Sequence, residues 1–255
     1  MDLSGKTIIV VGAAGRLGKV IISGVLGSGG NVVAVDCNEQ ALDAIKLEHE
    51  GRAEIIVLQG DITQASSVQR LIDEAVDKFG SVDGAVNTAY PRNSNYGRKL
   101  FDVTYEDFCE NVSLHLGGYY IFMQQCARYA LESKVEFSLV NMSSIYGVMP
   151  PRFDVYSGTE MTMPVEYAAI KSALQHLVSY FTAYMKGSRF RVNCVSPGGI
   201  LAGQDESFLN RYNSYCRDKG MLEASDVVGA VLFLLSDSAK YICGQNIIVD
   251  DSFGS

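Results

Sequence analysis

The chain has 255 residues, 47% of them hydrophobic and 20% charged, with a net charge of −8. That apolar content excludes a disordered chain, and the acidic balance argues against nucleic acid or an anionic membrane as partner, since both reward a basic face. No apolar run reaches the roughly 18 residues of a bilayer span, and the first one, Thr7–Val11, runs directly into glycines. Neither signal peptide nor anchor is expected, and the expected location is the cytoplasm.

In chain order, Thr7–Val11 is a β-branched apolar run of the kind buried on both faces of a parallel sheet. A glycine-rich turn follows, then a helical pattern from about Leu17 to Gly27, closed by Gly29-Gly30. Asn31–Val35 reads as a second strand ending at Asp36, and Ile55–Leu58 as a third ending at Gly60-Asp61. A helix over Gln64–Phe79 leads to a fourth strand, Asp83–Asn87. Beyond the polar loop Tyr90–Lys99 the periodicity predicts a long helix from about Tyr105 to Glu132, then a fifth strand at Phe137–Met142. A helix over Val165–Lys186, a sixth strand at Arg191–Val195, a short helix near Ser225–Leu235 and a seventh strand at Asn246–Val249 complete the chain. Strands alternating with helices imply right-handed βαβ units. The expectation is one α/β domain over residues 1–255, a Rossmann-type doubly wound parallel sheet of about seven strands with helices on both faces.

The turn Gly12-Ala13-Ala14-Gly15-Arg16-Leu17-Gly18 stands between the first strand and the first helix. Glycines there permit a tight turn and let a pyrophosphate approach main-chain N–H groups at the positive helix end. Asp36 closes the next strand, where a carboxylate accepts from ribose hydroxyls and repels a 2′-phosphate. Cys37 brings no cation to offset it, and Arg16 is the one neighbour that would, so NAD is expected over NADP. Tyr167 and Lys171 lie one helical turn apart, with their heads within reach. A phenol has a reference pKa of about 10, and a neighbouring ammonium favours the phenolate a base requires. Taken alone, the pair also fits a plain amphipathic helix carrying Leu174, Leu177, Val178, Phe181 and Met185. The order of signals points further: Asn141-Met142-Ser143-Ser144 and Pro197-Gly198-Gly199-Ile200 end the fifth and sixth strands, at the carboxyl edge where such sheets bind ligands. The six cysteines are scattered without Cys-x-x-Cys spacing; they read as small buried hydrophobes in a reducing compartment, and no metal site is expected.

Together these residues resemble the short-chain dehydrogenase/reductase family over essentially the whole chain. The resemblance implies a nicotinamide-dependent oxidoreductase acting on a secondary alcohol or ketone. It carries Gly12, Gly15, Arg16, Leu17 and Gly18 over to the pyrophosphate turn, Asp36 to the adenosine ribose, and Asp61 and Ile62 to the adenine. It places Asn87, Thr88 and Ala89 at the fourth-strand turn and Pro197, Gly198 and Ile200 beside the nicotinamide. Ser144, Tyr167 and Lys171 become the catalytic serine, tyrosine and lysine. His115 takes the position of the helical asparagine that supports the family's proton relay, with Asn111 as the competitor one turn earlier. Arg16 and Thr88 depart from the family's pattern, and the Gly-x-x-Gly-x-x-Gly spacing is commoner in a branch of sugar-nucleotide epimerases and dehydratases. An epimerase with retained NAD, or a non-catalytic NAD-binding regulator, is therefore the alternative.

The extra segment Val148–Pro164 is expected to hang over the site as a substrate-contacting lid. The loop Pro91–Lys99, with Arg92, Arg98 and Lys99 among its amides, suits phosphate or hydroxyl recognition. Val86–Pro91, the insertion and Val249-Asp250-Asp251 resemble the subgroup of flagellin modification protein A, which implies a polar, sugar-like and phosphorylated or nucleotide-linked substrate in bacterial glycan synthesis. The family resemblance also implies a homodimer or homotetramer paired through the two long helices.

Overall fold

The computed structural model describes residues 1–255, and in it the seven apolar runs form one sheet. Its strands are β1 Thr7–Val11, β2 Asn31–Asp36, β3 Ile55–Gln59, β4 Gly84–Asn87, β5 Phe137–Met142, β6 Phe190–Pro197 and β7 Asn246–Val249. They lie in the order β3-β2-β1-β4-β5-β6-β7, every neighbouring pair parallel. The order reverses between β1 and β4, which opens a crevice beyond their carboxyl ends.

The helices are α1 Arg16–Gly27, α2 Glu39–Glu48, α3 Ala65–Phe79, α4 Tyr105–Asn111, α5 Gly117–Ser133, α6 Val165–Tyr184, α7 Glu206–Asn213 and α8 Val228–Leu235. Alternation along β1 shows how they are layered: Ile9 and Val11 join a core of 26 buried residues with α3, α5 and α6, while Ile8 and Val10 join one of 22 with α1, α2 and α8. Both faces are covered, so the strands are mostly apolar, and polar side chains within them such as Ser138 and Asn141 of β5 are buried. A third, smaller cluster lies apart from these two and joins Ile145, Tyr146 and Val155 to Phe208, Tyr212, Met221 and Phe253.

The long helix expected over 105–132 is interrupted. Between α4 and α5 the residues Val112–Leu116 form a turn of π-helix, an extra residue per turn that hydrophobic periodicity does not register. The short helix near Ser225–Leu235 opens as a 3₁₀ turn, Ala224–Val227, before α8 begins. Two helices were not anticipated. In α2 only Leu42 and Ile45 are buried, with Asn38 Oδ1 capping the start by accepting from Ala41 N–H at 3.1 Å. In α7 the inward side chains are Phe208 and Tyr212 alone.

Candidate active site

The turn after β1 is built to touch an anion. Gly12 has φ of +75°, and a Cβ on it would lie 2.6 Å from Thr88 Oγ1. A Cβ on Gly18 would lie 2.2 Å from the Gly12 carbonyl oxygen and 2.8 Å from Ala13 Cα, so main chain packs on main chain there. Helix α1 starts behind it with no side-chain cap and no acid in its first turn, leaving its N–H groups and dipole to a ligand phosphate. Beside it Asp36 is aimed by Ala14 N–H at 3.0 Å and Asn38 N–H at 3.1 Å, and each carboxylate oxygen retains a lone pair for a hydroxyl. These residues fit a dinucleotide. Substituting Gly18→Ala forces the turn open, and the expected result is a loss of about 1–3 kcal/mol of stability. Cofactor affinity should fall with it, read from the denaturation midpoint and from NADH fluorescence; a wild-type value for both would refute this account of the turn.

Further along the edge, Asp61 Oδ1 accepts from Thr63 N–H and Thr63 Oγ1–H at 2.9 and 2.8 Å, closing its own turn. Ile62 is buried in the core beside Gly118, so any part it plays at this edge falls to its main chain. Asn87 is fully buried, its Oδ1 accepting from Ala89 N–H at 3.1 Å. Thr88 ties β4 to β1 by donating to the Val11 carbonyl at 2.8 Å.

On the other side of the crevice, β5 delivers Ser144 and α6 presents Tyr167 and Lys171 on one face. Lys171 Nζ is buried, donates to the Met142 carbonyl at 2.7 Å and lies 3.3 Å from His115 Nε2. It sits 5.6 Å from the centre of the Tyr167 ring. The π turn is what brings His115 inward, where it is fully buried between the rings of Tyr90 and Tyr119. Asn111 is committed elsewhere: its Oδ1 accepts from Asn93 N–H at 2.9 Å and its Nδ2 donates to the buried Glu166 at 3.3 Å. Of the two candidates it is His115 that meets Lys171.

Burial governs the ionisation of all three groups. It raises the Tyr167 phenol above its usual value, with the Ser144 hydroxyl pulling the other way. It brings the Lys171 ammonium down to about 7. It also holds His115 neutral, pushed down to about 2 by burial and then by the charges of Lys171 and Arg92. Desolvation, and not the lowering expected from Lys171, therefore sets the direction for the phenol here.

A cavity of about 740 Å³ joins the two halves. Gly15, Arg16, Leu17, Ala89, Ser144, Tyr167, Lys171, Gly198 and Ile200 line it. Gly12, Gly18, Asn87, His115 and Pro197 stand behind its wall, and Asp36, Asp61 and Ile62 lie off it along the sheet edge. The Val148–Pro164 segment supplies Tyr156, Met161, Met163 and Pro164 to the opposite wall, beside Phe208 and Tyr212 of α7. Tyr212 is held by Phe253, whose ring stacks on it at 4.0 Å. This shelf escaped the sequence reading; the signal available was Phe208 and Tyr212 at a spacing of four.

The loop 91–99 needs correction. Arg98 is engaged by Asp107 at 3.1 Å and Asn95 at 2.8 Å, while the Asn93 and Asn95 amides both donate to Asp107 and Asn93 Oδ1 accepts from Asn95 N–H, so of the three cations Arg92 alone reaches the cavity. The cysteines also differ from expectation, for Cys37 and Cys109 are exposed and only Cys126 and Cys194 are buried; all six are free thiols.

A doubly wound sheet with a glycine turn at its switch point marks the class of dinucleotide-binding α/β proteins. Within that class the chain belongs to the short-chain dehydrogenase/reductase family of oxidoreductases, and a family model described as enoyl-(acyl carrier protein) reductase matches residues 12–253. It is 37% identical over 255 residues to post-translational flagellin modification protein A of Campylobacter coli, covering 99% of each chain. It is 28% identical to 2,5-dichloro-2,5-cyclohexadiene-1,4-diol dehydrogenase of Sphingobium indicum, over 99% of this chain and 98% of the relative. Among solved structures, a short-chain dehydrogenase from Leptospira borgpetersenii with bound NAD+ superposes with a TM-score of 0.86 at 27% identity, covering 100% of this chain and 94% of that one. The protein is thus an enzyme of a family served by nicotinamide cofactors, and no helix in it is long and apolar enough to cross a membrane.

Proposed function

We propose that the protein is an NAD-dependent oxidoreductase that interconverts a secondary alcohol and its ketone on a sugar-like substrate. The observation that carries this is the convergence of Ser144, Tyr167 and Lys171 on a cavity that also opens onto the glycine turn. Gly12, Gly15, Arg16, Leu17 and Gly18 hold the pyrophosphate, Asp36 the adenosine ribose, and Asp61 and Ile62 the adenine. Asn87, Ala89, Pro197, Gly198 and Ile200 frame the nicotinamide, which when bound supplies the hydride acceptor or donor. Tyr167 takes the hydroxyl proton in oxidation and returns it in reduction. Ser144 donates to the same oxygen and stabilises the charge that develops there. Lys171 stands between Tyr167 and the neutral His115, whose Nε2, in the tautomer protonated on Nδ1, accepts a hydrogen bond from it. His115 is thus the relay's positioning partner, in the place of the family's asparagine.

The role proposed is to supply a glycan in the bacterial cytoplasm; the flagellin modification relative supports the part of this that concerns the modification. A homodimer or homotetramer is supported by exposed aromatic and aliphatic side chains on α5 and α6, among them Tyr120, Leu131, Tyr180 and Tyr184.

Formation of NADH from NAD+ with a panel of sugars, sugar phosphates and nucleotide sugars tests this reading. Turnover is expected with one sugar class. Because Asp36 faces a 2′-phosphate with like charge, kcat/KM with NAD+ should exceed that with NADP+ by about 100-fold. Equal use of both cofactors would remove the assignment of Asp36. Silence across the panel with NAD+ bound would remove the sugar.

A further inference from the structure

The cavity is poor in free polar groups, and the exceptions are informative. Tyr156 donates to Tyr146 at 3.3 Å, Tyr212 Oη accepts from Gly199 N–H at 2.6 Å, and the Gln204 amide is held at both ends by Ala202 N–H and the Ile200 carbonyl. Of the 29 acidic residues in the chain, none lines the cavity. Three cations do: Arg16 at the glycine turn, Lys171, and Arg92. Glu166, next to Tyr167 in sequence, is fully buried and bonded to Asn111.

Neither arginine has an ion-pair partner; Arg16 stands at the glycine turn, and Arg92 faces the part of the cavity beyond it. Its guanidinium lies 4.7 Å from the centre of the Tyr90 ring, and its one polar contact is a 3.5 Å approach to the Tyr90 carbonyl, at the limit for a hydrogen bond. Tyr90 in turn meets Tyr167 edge to face at 5.7 Å, so a single aromatic ring separates the guanidinium from the Tyr167 side chain. The place of Arg92 over the Tyr90 ring leaves most of the donors of this exposed guanidinium free, and a guanidinium's planar fork suits the two oxygens of a carboxylate or phosphate. Arg98, six residues on, is by contrast taken up by Asp107.

We propose that Arg92 determines specificity by holding an anionic group, carboxylate or phosphate, carried by the substrate while its carbinol carbon lies at Tyr167. The proposal rests on the oxidoreductase reading above and narrows its substrate to alcohols bearing a negative charge near the reacting carbon. The wall of Met161, Met163, Phe208 and Met221 faces the uncharged part of that substrate.

Two measurements on Arg92→Met and Arg92→Lys test it, with the denaturation midpoint confirming that each variant is folded. Inorganic phosphate and acetate are titrated calorimetrically into the protein saturated with NAD+, so that the glycine turn is already filled. Binding of one of them should weaken by about 10- to 100-fold in Arg92→Met and be partly restored in Arg92→Lys. The ion affected tells phosphate from carboxylate. Turnover is then compared across a hexose, its uronate and its phosphate. The wild type should favour an anionic member by about 10- to 100-fold in kcat/KM, and Arg92→Met should bring that ratio close to one. A wild type that favours the neutral hexose overturns the proposal, as does an Arg92→Met protein that keeps both its anion affinity and its anionic preference. Arg92-dependent anion binding with no turnover of any member upholds the anion site and removes the sugar oxidoreductase reading instead.

Discussion

A Tyr167→Phe protein is expected to fold normally and to bind cofactor as the wild type does, while turnover falls by about 10²–10⁴-fold, the usual contribution of a positioned general acid or base. The ring keeps its edge-to-face contact with Tyr90 at 5.7 Å and its place beside Lys171 at 5.6 Å, so packing is retained. What disappears is one hydroxyl, already raised in pKa by burial and supported by Ser144, so stability should change by less than about 1 kcal/mol. Initial rates of NADH formation decide the matter. A variant retaining a tenth or more of wild-type turnover would mean that Tyr167 is not the group that handles the proton.

Lys171→Met should separate activity from stability with opposite signs. The Lys171 ammonium is buried with a carbonyl and an imidazole for partners and no carboxylate, and burial brings it to about 7 from the ordinary 10.5. Between those two pH values the unfolded chain holds a proton that the folded protein lacks, so cofactor-free stability rises with pH across that window. Below it the folded ammonium is charged and its desolvation penalty is fully present. Methionine fills a similar volume without the charge, so at pH 6 the variant should be more stable by on the order of 2 kcal/mol. The gain should shrink as pH rises toward 10.5. Turnover should nonetheless fall about 100-fold or more, since the amine standing between Tyr167 and His115 is removed. His115 adds an acid limb that this substitution leaves in place. Unfolded histidine binds a proton below about 6.5, whereas His115 resists it down to about 2, so stability declines through that range. Denaturation midpoints between pH 5 and 10 test the linkage. A Lys171→Met protein less stable than wild type at pH 6 would show that the Met142 carbonyl and His115 more than offset the desolvation.

What the sequence made legible follows from what each element buries. The strands were readable because both faces of β1, β2 and β5 are covered and their runs are mostly apolar, with Ser138 and Asn141 of β5 as buried exceptions. The glycine turn and Asp36 were readable because local geometry dictates them. Helix α2 was not, with two inward side chains in ten residues. The π turn was not, because one extra residue leaves the apolar pattern of 105–132 continuous while reorienting His115. Nor does composition distinguish Arg92 from Arg98; the difference lies in which of them Asp107 reaches. The position of the Val148–Pro164 segment was legible from its flanks Ser144 and Tyr167, but the shelf beside it depended on Phe253, about ninety residues downstream, and no local signal joins the two.

The third hydrophobic cluster shares no buried member with either of the sheet-face cores. Change in the lid, in α7 or around Phe253 thus falls outside both sheet-face cores, and the link it must keep is Tyr212 Oη on Gly199 N–H. A lineage carrying this chain has in that outlying cluster a part of the cavity wall open to variation while the strands beneath the glycine turn stay as they are.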